Sequence, residues 1–501
     1  FTPADTGTLF VTGGVRHIRF WALAGRTLKS KLGSCPKKLN TQICGTYIGS
    51  KKTGFRFVSG SAAGWLNIWN TANPKDVKSL GKHENRFLEN MAKQEGGAIT
   101  AISPCYEEDI SEGVKTIVCG TKTGKIYVVT VSSEFSDFKQ AMEAKWQFTS
   151  TNMSIKGQQF ESFNPEIRSV CIDLPLNKIL VGTKSSEIYI ADYEEKANNL
   201  KWDLVVAGHY ADELWGLAVN PEDPTIFATA GDDKTVRVWK RMVETGHVEL
   251  MHICKCRDMS RALAWFDGDI LIAGLGGRVG RKVITGKRKK RRKKGKKKTD
   301  ADADDHAGEV DIFNLKNNPN KIIEANSSGY KFDSNHLPKD WVSDVKVNQS
   351  KNINNKFVAI AAHDQKVWLY QINENGDAFK FRGYCNKSSA AVTHVDFGSS
   401  KDNTIYVRTN DLSEEVLRYK IKKPSKKGIY KNETKLRAVR DVNWQSDTCI
   451  LEWGTEGIWP QGAASDDINS VCTSNTGNII VSADDHGHIN LFNYPCTTQG
   501  A

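Results

Sequence analysis

The stretch 208–239, GHYADELWGLAVNPEDPTIFATAGDDKTVRVW, decides the fold. It opens on Gly208-His209, alternates through Trp215, Leu217 and Val219, and breaks at Asn220-Pro221. A second apolar run, Ile226 to Ala230, ends in the turn Gly231-Asp232-Asp233-Lys234, and a third runs from Thr235 to Trp239. Period-two alternation interrupted by turn residues predicts a small antiparallel sheet, since a helix needs apolar residues three and four apart. Its polar residues have places to fill. His209, Thr229, Asp233 and Trp239 can form a hydrogen-bonded chain in which Asp233 fixes the His209 tautomer. The Thr229 hydroxyl and the Trp239 indole N–H are then satisfied inside the sheet. Such a sheet, carrying a structural tetrad, is one blade of a β-propeller.

This is the WD-repeat pattern, and its third strand recurs. It is found as HIRFW to Trp21, LNIW to Trp69, KIYVV to Val129, EIYIAD to Asp192 and TVRVW to Trp239. It continues as EVDIF to Phe313, KVWLY to Tyr370, EVLRY to Tyr419 and HINLF to Phe492. Propellers usually have about four to eight blades, so nine repeats predict two propellers, or parts of two, in tandem. The fold class is therefore all-β, tandem WD-repeat β-propellers. Repeat spacings of 47 to 74 residues predict loop insertions in several blades. Between repeats, 85–96 is expected to be a polar connection with one helical turn, and 420–435 a basic loop. The start, FTPADTGTLFVTGG, reads as the tail of a blade already under way, so the chain is expected to be a fragment of a longer protein.

With 39% hydrophobic and 26% charged residues, the 501-residue chain has the composition of a globular protein with solvated insertions. No apolar run approaches the ~18 residues that a membrane span needs. The eleven cysteines sit mostly in strand-like runs such as IVCGT and SVCID, and are expected to be buried free thiols of a reducing compartment. Cys254-Lys255-Cys256 has no CxxC or His-rich partner, so no metal is expected. The net charge of +12 has one source: KRKKRRKKGKKK at 287–298 holds 11 of the 70 lysines and arginines, leaving the remainder close to neutral.

A second set of residues is more particular than the repeat. The first blade considered contains ADELWGLAV, and VTGGVRHIRFWALAG spans 11–25. Later come Arg440-Asp441, Thr448-Cys449, Gly457-Ile458-Trp459-Pro460, Asp467-Ile468-Asn469 and Tyr494-Pro495-Cys496. In this order, across most of the chain, they resemble the echinoderm microtubule-associated protein-like family. The resemblance implies tandem propellers packed as one unit. Residues 1–160 would be the C-terminal part of a first propeller, and 161–501 a second whose last blade is incomplete. It also implies a non-enzymatic scaffold that binds tubulin, microtubules or other cytoskeletal and axonemal proteins, in the cytoplasm and cytoskeleton and in the ciliary axoneme. The family's coiled-coil and basic N-terminal region has no match here.

The basic run lies inside a blade. ILIAGLGGRVG breaks off at about Gly277 and GEVDIFNL resumes at Gly308, so an insert at about 278–307 occupies the turn between second and third strands. In the blade at 208–239 that turn carries Asp233, which must reach His209, so the insert is expected to project from the His209 face. With Val279, Val283 and Ile284 its only large aliphatics, it is expected to be disordered when free. Its cations, Lys287, Arg288, Lys289, Lys290, Arg291, Arg292, Lys293, Lys294, Lys296, Lys297 and Lys298, are candidates for binding an acidic polymer. Tubulin's acidic C-terminal tails, nucleic acid and an anionic membrane all qualify, and a solvated loop without a partner stays open. The run has no aromatic residue on which a base could stack, which disfavours single-strand readout. A WD-repeat scaffold acting on nucleic acid or nuclear partners through this run is the alternative function.

No catalytic, metal or cofactor-binding residue is expected. Gly274-Leu275-Gly276 with Gly280 mimics a dinucleotide loop, but no helix follows, and Gly286-Lys287 lacks the upstream glycine of a phosphate loop. His209, His363 and His486 stand at repeat or turn positions and read as structural. The pairs Asp232-Asp233 and Asp484-Asp485 are explained by turn chemistry. No nucleophile, base and orienter set is present. Trp215 shares its strand's alternation and is expected to pack in the core.

Overall fold

The strand signals become nine sheets, numbered here as blades 1 to 9 in chain order. The computed structural model describes the chain outside 1–8, 35–38, 51–53, 72–82, 88–96, 106–115, 131–145, 148–152, 156–157, 160–163, 194–199, 212, 277–307, 317–321, 327–329, 351–354, 374–377, 423–427, 433–438, 440, 461, 463–466 and 499–501. Blades 1 to 4 span 9–32, 42–87, 99–147 and 153–207. The inner strands of blades 5 to 9 begin at 214, 259, 342, 392 and 468. All nine third-strand segments lie in strands, from His17–Ala24 in blade 1 to Ile489–Asn493 in blade 9.

The chain divides into two compact units, Phe1–Tyr210 and Ala211–Ala501. Within the first unit, blade 4 packs on blade 3. Ile167 of the blade 4 inner strand covers Gly120 so closely that a Cβ there would lie 2.3 Å from the Ile167 Cγ2. Blade 2 also takes in part of the expected connection at 85–96: His83–Phe87 is its outer strand, paired with Leu66–Asn70. The remainder, 88–96, lies outside the described residues. Likewise the start of the expected loop at 420–435 is strand, since Val416–Ile421 includes Lys420 and pairs with Lys431–Asn432.

Blade 5 has the regular form. Leu214–Val219, Ile226–Gly231, Thr235–Arg241 and Val248–Lys255 pair in that order, all antiparallel. Ala228, Ala230, Val236 and Val238 are buried against Leu263, Trp265, Leu271 and Ala273 of blade 6. Each large aliphatic buried in this way contributes roughly 1.5–3 kcal/mol.

In blades 2 to 9 the inner strand carries a β-bulge near its start, as between Leu214 and Gly216, Ser260 and Ala262, Val342 and Asp344, Val392 and His394, and Ile468 and Ser470. A bulge adds one unpaired residue and re-aims the side chains around it. In blade 5 this overturns the expected burial of Trp215. Gly216 and Ala218 face blade 6, with Gly216 so close that a Cβ would fall 2.9 Å from that of Ala230 and 3.1 Å from Leu263 Cγ. Trp215, Leu217 and Val219 are left 47, 68 and 56% exposed.

Blade 6 has three strands, Met259–Trp265, Ile270–Gly276 and Val310–Asn314. Side chains close its outer edge. The Ile312 N–H donates to Asn326 Oδ1 (3.0 Å), the Asn326 backbone N–H donates to the Ile312 carbonyl (3.2 Å), and Arg257 donates to the Val310 carbonyl (3.1 Å). These groups satisfy the edge as a fourth strand would. Phe266, Trp368, Tyr370 and Phe379, with Tyr330 and Phe332 against them, fill the core shared with blade 7.

Between blades 8 and 9 the chain lays down a wedge, 439–460. Asn443–Trp444 pairs with the blade 8 inner strand at Gly398 and Ser399. The fully buried Asp396 then accepts from Arg408 Nε (3.1 Å) and Nη2 (3.0 Å), from the Thr448 and Cys449 backbone N–H groups (both 3.0 Å), and from the hydroxyls of Ser446 and Thr448. Burial alone would raise the Asp396 carboxyl, but Arg408, Lys346 and the two hydroxyls hold it down at about 2. A 3-10 turn, Trp453–Ile458, follows, and its Gly457 N–H donates to the Cys496 carbonyl (2.8 Å) while the Cys496 N–H donates to Gly454 (2.9 Å). Ile450 and Ile458 bury against Ile468, Val471 and Ile480 of blade 9.

The ten described cysteines are free, and six of them are buried. Burial pushes the half-buried Cys44 thiol up to about 12, away from thiolate chemistry.

Candidate interaction surface

The basic insert is mounted on a regular strand pair. Its eleven candidate cations, Lys287 to Lys298, lie outside the described residues, but both stems are described. Leu275 N–H donates to the Glu309 carbonyl (2.9 Å) and Gly308 N–H to the Leu275 carbonyl (3.3 Å), so the hairpin closes as if around a short turn. Gly308 has φ +85, and a Cβ there would lie 2.3 Å from the Pro338 carbonyl oxygen, so both conformation and space require glycine. Gly274 and Gly276, which mimic a dinucleotide loop in sequence, are small for packing. A Cβ would meet Val342 Cγ1 at 2.4 Å in the first case and Arg261 Cδ at 3.2 Å in the second.

Gly276 stands opposite Met259, at the end of blade 6 where its inner strand starts, as Gly231 stands opposite Leu214 in blade 5. The insert thus leaves from the end of the second unit that carries the bulge residues Trp215, Arg261, Ser343, Thr393 and Asn469, one per blade. Three blades are joined there by a ladder of rings and charge. The Arg261 guanidinium lies 4.7 Å from the Trp215 ring centroid and 4.5 Å from that of Trp341. It donates to Asp232 Oδ2 (3.1 Å), and Trp341 meets His363 edge-on at 4.3 Å. The Trp215 indole N–H donates to Glu213 Oε2 (3.1 Å). Burial lowers the His363 pKa from its ordinary value, and nearby Arg261 adds to this against the opposing Asp340. Further round, the Ser343 hydroxyl donates to the Val392 carbonyl and His394 Nε2 lies 3.2 Å from the Asn469 carbonyl.

Within the predicted tetrad, Trp239 and Thr229 are joined directly. The Trp239 indole N–H donates to Thr229 Oγ1 (2.8 Å). Asp233 Oδ1 accepts from the Thr235 N–H (3.0 Å) and hydroxyl (2.8 Å), and its Oδ2 lies 3.6 Å from the buried Arg237. His209 belongs to the first unit and the other three residues to the second. The same indole-to-hydroxyl bond recurs as Trp21 to Thr12 (2.9 Å) and Trp69 to Ser59 (2.8 Å), with Gln42 receiving the Ser59 hydroxyl. The acidic turn pairs do local work: Asp232 holds Arg261, and Asp484 Oδ1 accepts from the His486 and His488 N–H groups. Arg261 and Trp341 were not singled out by sequence, and Glu213 only as part of the family-like stretch ADELWGLAV. Their signal was an arginine or tryptophan at the start of an inner strand, which alternation alone assigns to the core. Among the described residues no group of three or more His, Cys, Asp or Glu could hold a metal, and no helix is long and apolar enough to cross a membrane.

Comparison with known proteins gives this architecture relatives. The family model described as the echinoderm microtubule-associated protein second beta-propeller matches 214–501, beginning at the first residue of blade 5. Rat echinoderm microtubule-associated protein-like 2 is 25% identical over 503 residues, covering 99% of this chain and 60% of the relative. Mouse echinoderm microtubule-associated protein-like 1 is 23% identical, covering 99% and 48%. Xenopus laevis echinoderm microtubule-associated protein-like 4 is 23% identical, covering 100% and 44%. The chain thus spans about half the length of these curated relatives. With its second unit matched from blade 5 onward and its whole length aligned to such proteins, the chain belongs to the echinoderm microtubule-associated protein family.

Proposed function

We propose that this chain is a non-enzymatic, microtubule-associated scaffold of the cytoskeleton, the ciliary axoneme being one setting, and that it binds tubulin. Its propeller units are the frame, and the run Lys287 to Lys298 is a tether for tubulin's acidic C-terminal tails. The observation that carries this reading is the mounting of the insert: its stems close a regular strand pair beside Arg261, so the segment that holds eleven cations is attached to a regular sheet. The relatives named above are microtubule-associated by name, and a concentrated cationic element suits an acidic polymer.

Co-sedimentation with microtubules, intact chain against one lacking 287–298, tests it. Binding by the intact chain is expected to weaken steeply with salt, and the deletion to lose about tenfold or more at low salt. Removing tubulin's tails is expected to reproduce the deletion. Binding that survives both changes would exclude the tether and leave docking by the propeller. Tight RNA or DNA binding with no microtubule binding at low salt would replace the reading by the nucleic-acid scaffold.

A further inference from the structure

The Trp215–Arg261–Trp341 ladder leaves one aromatic face open. One side of the Trp215 ring is covered by Arg261 and its N–H is given to Glu213, yet the residue is 47% exposed. Arg261 cannot easily turn away. Its side chain is 8% exposed, it is clamped by Trp341 and Asp232, and its Nε finds no acceptor among the described residues, so ring faces and the carboxylates of Asp232 and Glu213 hold it. The indole is therefore fixed before any partner arrives, which removes an ordering cost that a mobile ring would incur. Glu213 is 63% exposed and engages Trp215 and Arg261 through Oε2, leaving Oε1 without a partner among the described residues.

We propose that Trp215 and Glu213 form a slot for an arginine side chain from a basic segment of a partner protein. The guanidinium would lie flat on the open face of Trp215 and donate to Glu213 Oε1, while the exposed Leu214 and Leu217 take apolar parts of the segment. Charge selects this occupant. Glu213 and Asp232 outnumber Arg261, whose charge is already taken up, and half-buried Asp340 and Asp364 stand on the turns of blade 7 at the same end. An acidic group laid on the Trp215 ring would meet the Glu213 carboxylate. Arginine fits better than lysine because its planar fork can stack and donate together. Tryptophan and arginine, set in a fixed arrangement beside apolar neighbours, also have the composition of an energetic centre of an interface. The charge that this slot selects is the opposite of the one that the basic run would attract.

The test uses the full chain and a labelled peptide of arginines spaced by glycine, read by fluorescence anisotropy. Wild type is expected to bind. Trp215→Ala is expected to weaken binding about tenfold, Trp215→Phe to keep most of it, and Glu213→Gln to weaken it roughly three- to tenfold. A citrulline peptide of the same length, which keeps the shape and loses the charge, is expected to bind at least about tenfold more weakly. Glu213 lies at the surface, so Glu213→Gln and the citrulline peptide decide the matter even if Trp215→Ala fails to fold. Unchanged binding by Glu213→Gln and by the citrulline peptide would overturn the proposal. Peptide binding that appears only after deletion of 287–298 would assign the slot to the chain's own basic run and overturn the partner reading.

Discussion

Two of the segments that carry the family likeness are built for different purposes. Glu213 to Leu217 stands at an exposed end of the second unit, with Trp215 and Leu217 open. The segment 440–496 contains the wedge between blades 8 and 9, whose Thr448 and Leu451 N–H groups donate to the fully buried Asp396 and Asn410 of blade 8. A residue pattern peculiar to a family thus has two physical origins, a surface held rigid and a packing problem solved. Stability separates them. Asp396→Ala removes the acceptor of Arg408 and of two backbone N–H groups inside the wedge, and is expected to cost about 3–5 kcal/mol in chemical unfolding of the second unit. Trp215→Ala is expected to cost under about 1 kcal/mol, since it deletes one exposed cation–π contact. Equal costs would remove the distinction between the segments.

The edge of blade 6 sharpens the same comparison, because there side chains replace a strand. Asn326→Ala leaves the Ile312 N–H without its acceptor and uncovers Asp311, for an expected loss of about 2 kcal/mol in the same measurement. Replacing 278–307 by a two-residue turn is expected to move stability the other way. Each halving of loop length returns about 0.6 kcal/mol, so about four halvings should give a gain of roughly 2 kcal/mol, seen as a raised unfolding midpoint. A loss on removal would mean that the insert packs into the fold, which would undercut its reading as a tether.

Most of the fold was legible because period-two alternation and turn residues are local. All nine third strands lie where HIRFW, TVRVW and their counterparts put them. Trp215 was misread for a reason that alternation cannot signal. One bulge residue inverts the phase of a strand, and the deciding neighbour, Leu263, is nearly fifty residues away. The wedge was legible as a likeness and illegible as a structure, since Asp396 gives no hint in its own strand of the donors at 446–449. The closing of the blade 6 edge depends on Asn326 with φ +56, a single residue beyond the repeat. The ladder at the candidate surface needs three blades in register, and its parts come from 213–215, 261, 341 and 363.

Acidification should pull the two segments apart with the smallest effect and the clearest sign. Asp396 is held down at about 2, so the stability that its ionised form contributes is present above the ordinary carboxyl range and is lost only as pH falls towards that value. His363 behaves in the opposite way. Burial lowers its pKa below the ordinary 6.5, so in the window just under that value the unfolded chain binds a proton that the folded chain does not. Stability is therefore full above the window and falls as pH drops through it, because a protonated His363 would be partly desolvated and would face Arg261, with Asp340 only partly offsetting the charge. Thermal unfolding of the second unit is expected to weaken from neutral pH to about 5.5, less so in His363→Gln, while Asp396→Asn shows the same slope as wild type over that range. An unchanged slope in His363→Gln would mean that the ladder end is solvated enough to leave the imidazole unperturbed, and Trp341 would then be free to move with it. A slope that vanished in Asp396→Asn would instead make the wedge the acid-sensitive part and reverse the assignment of the two segments.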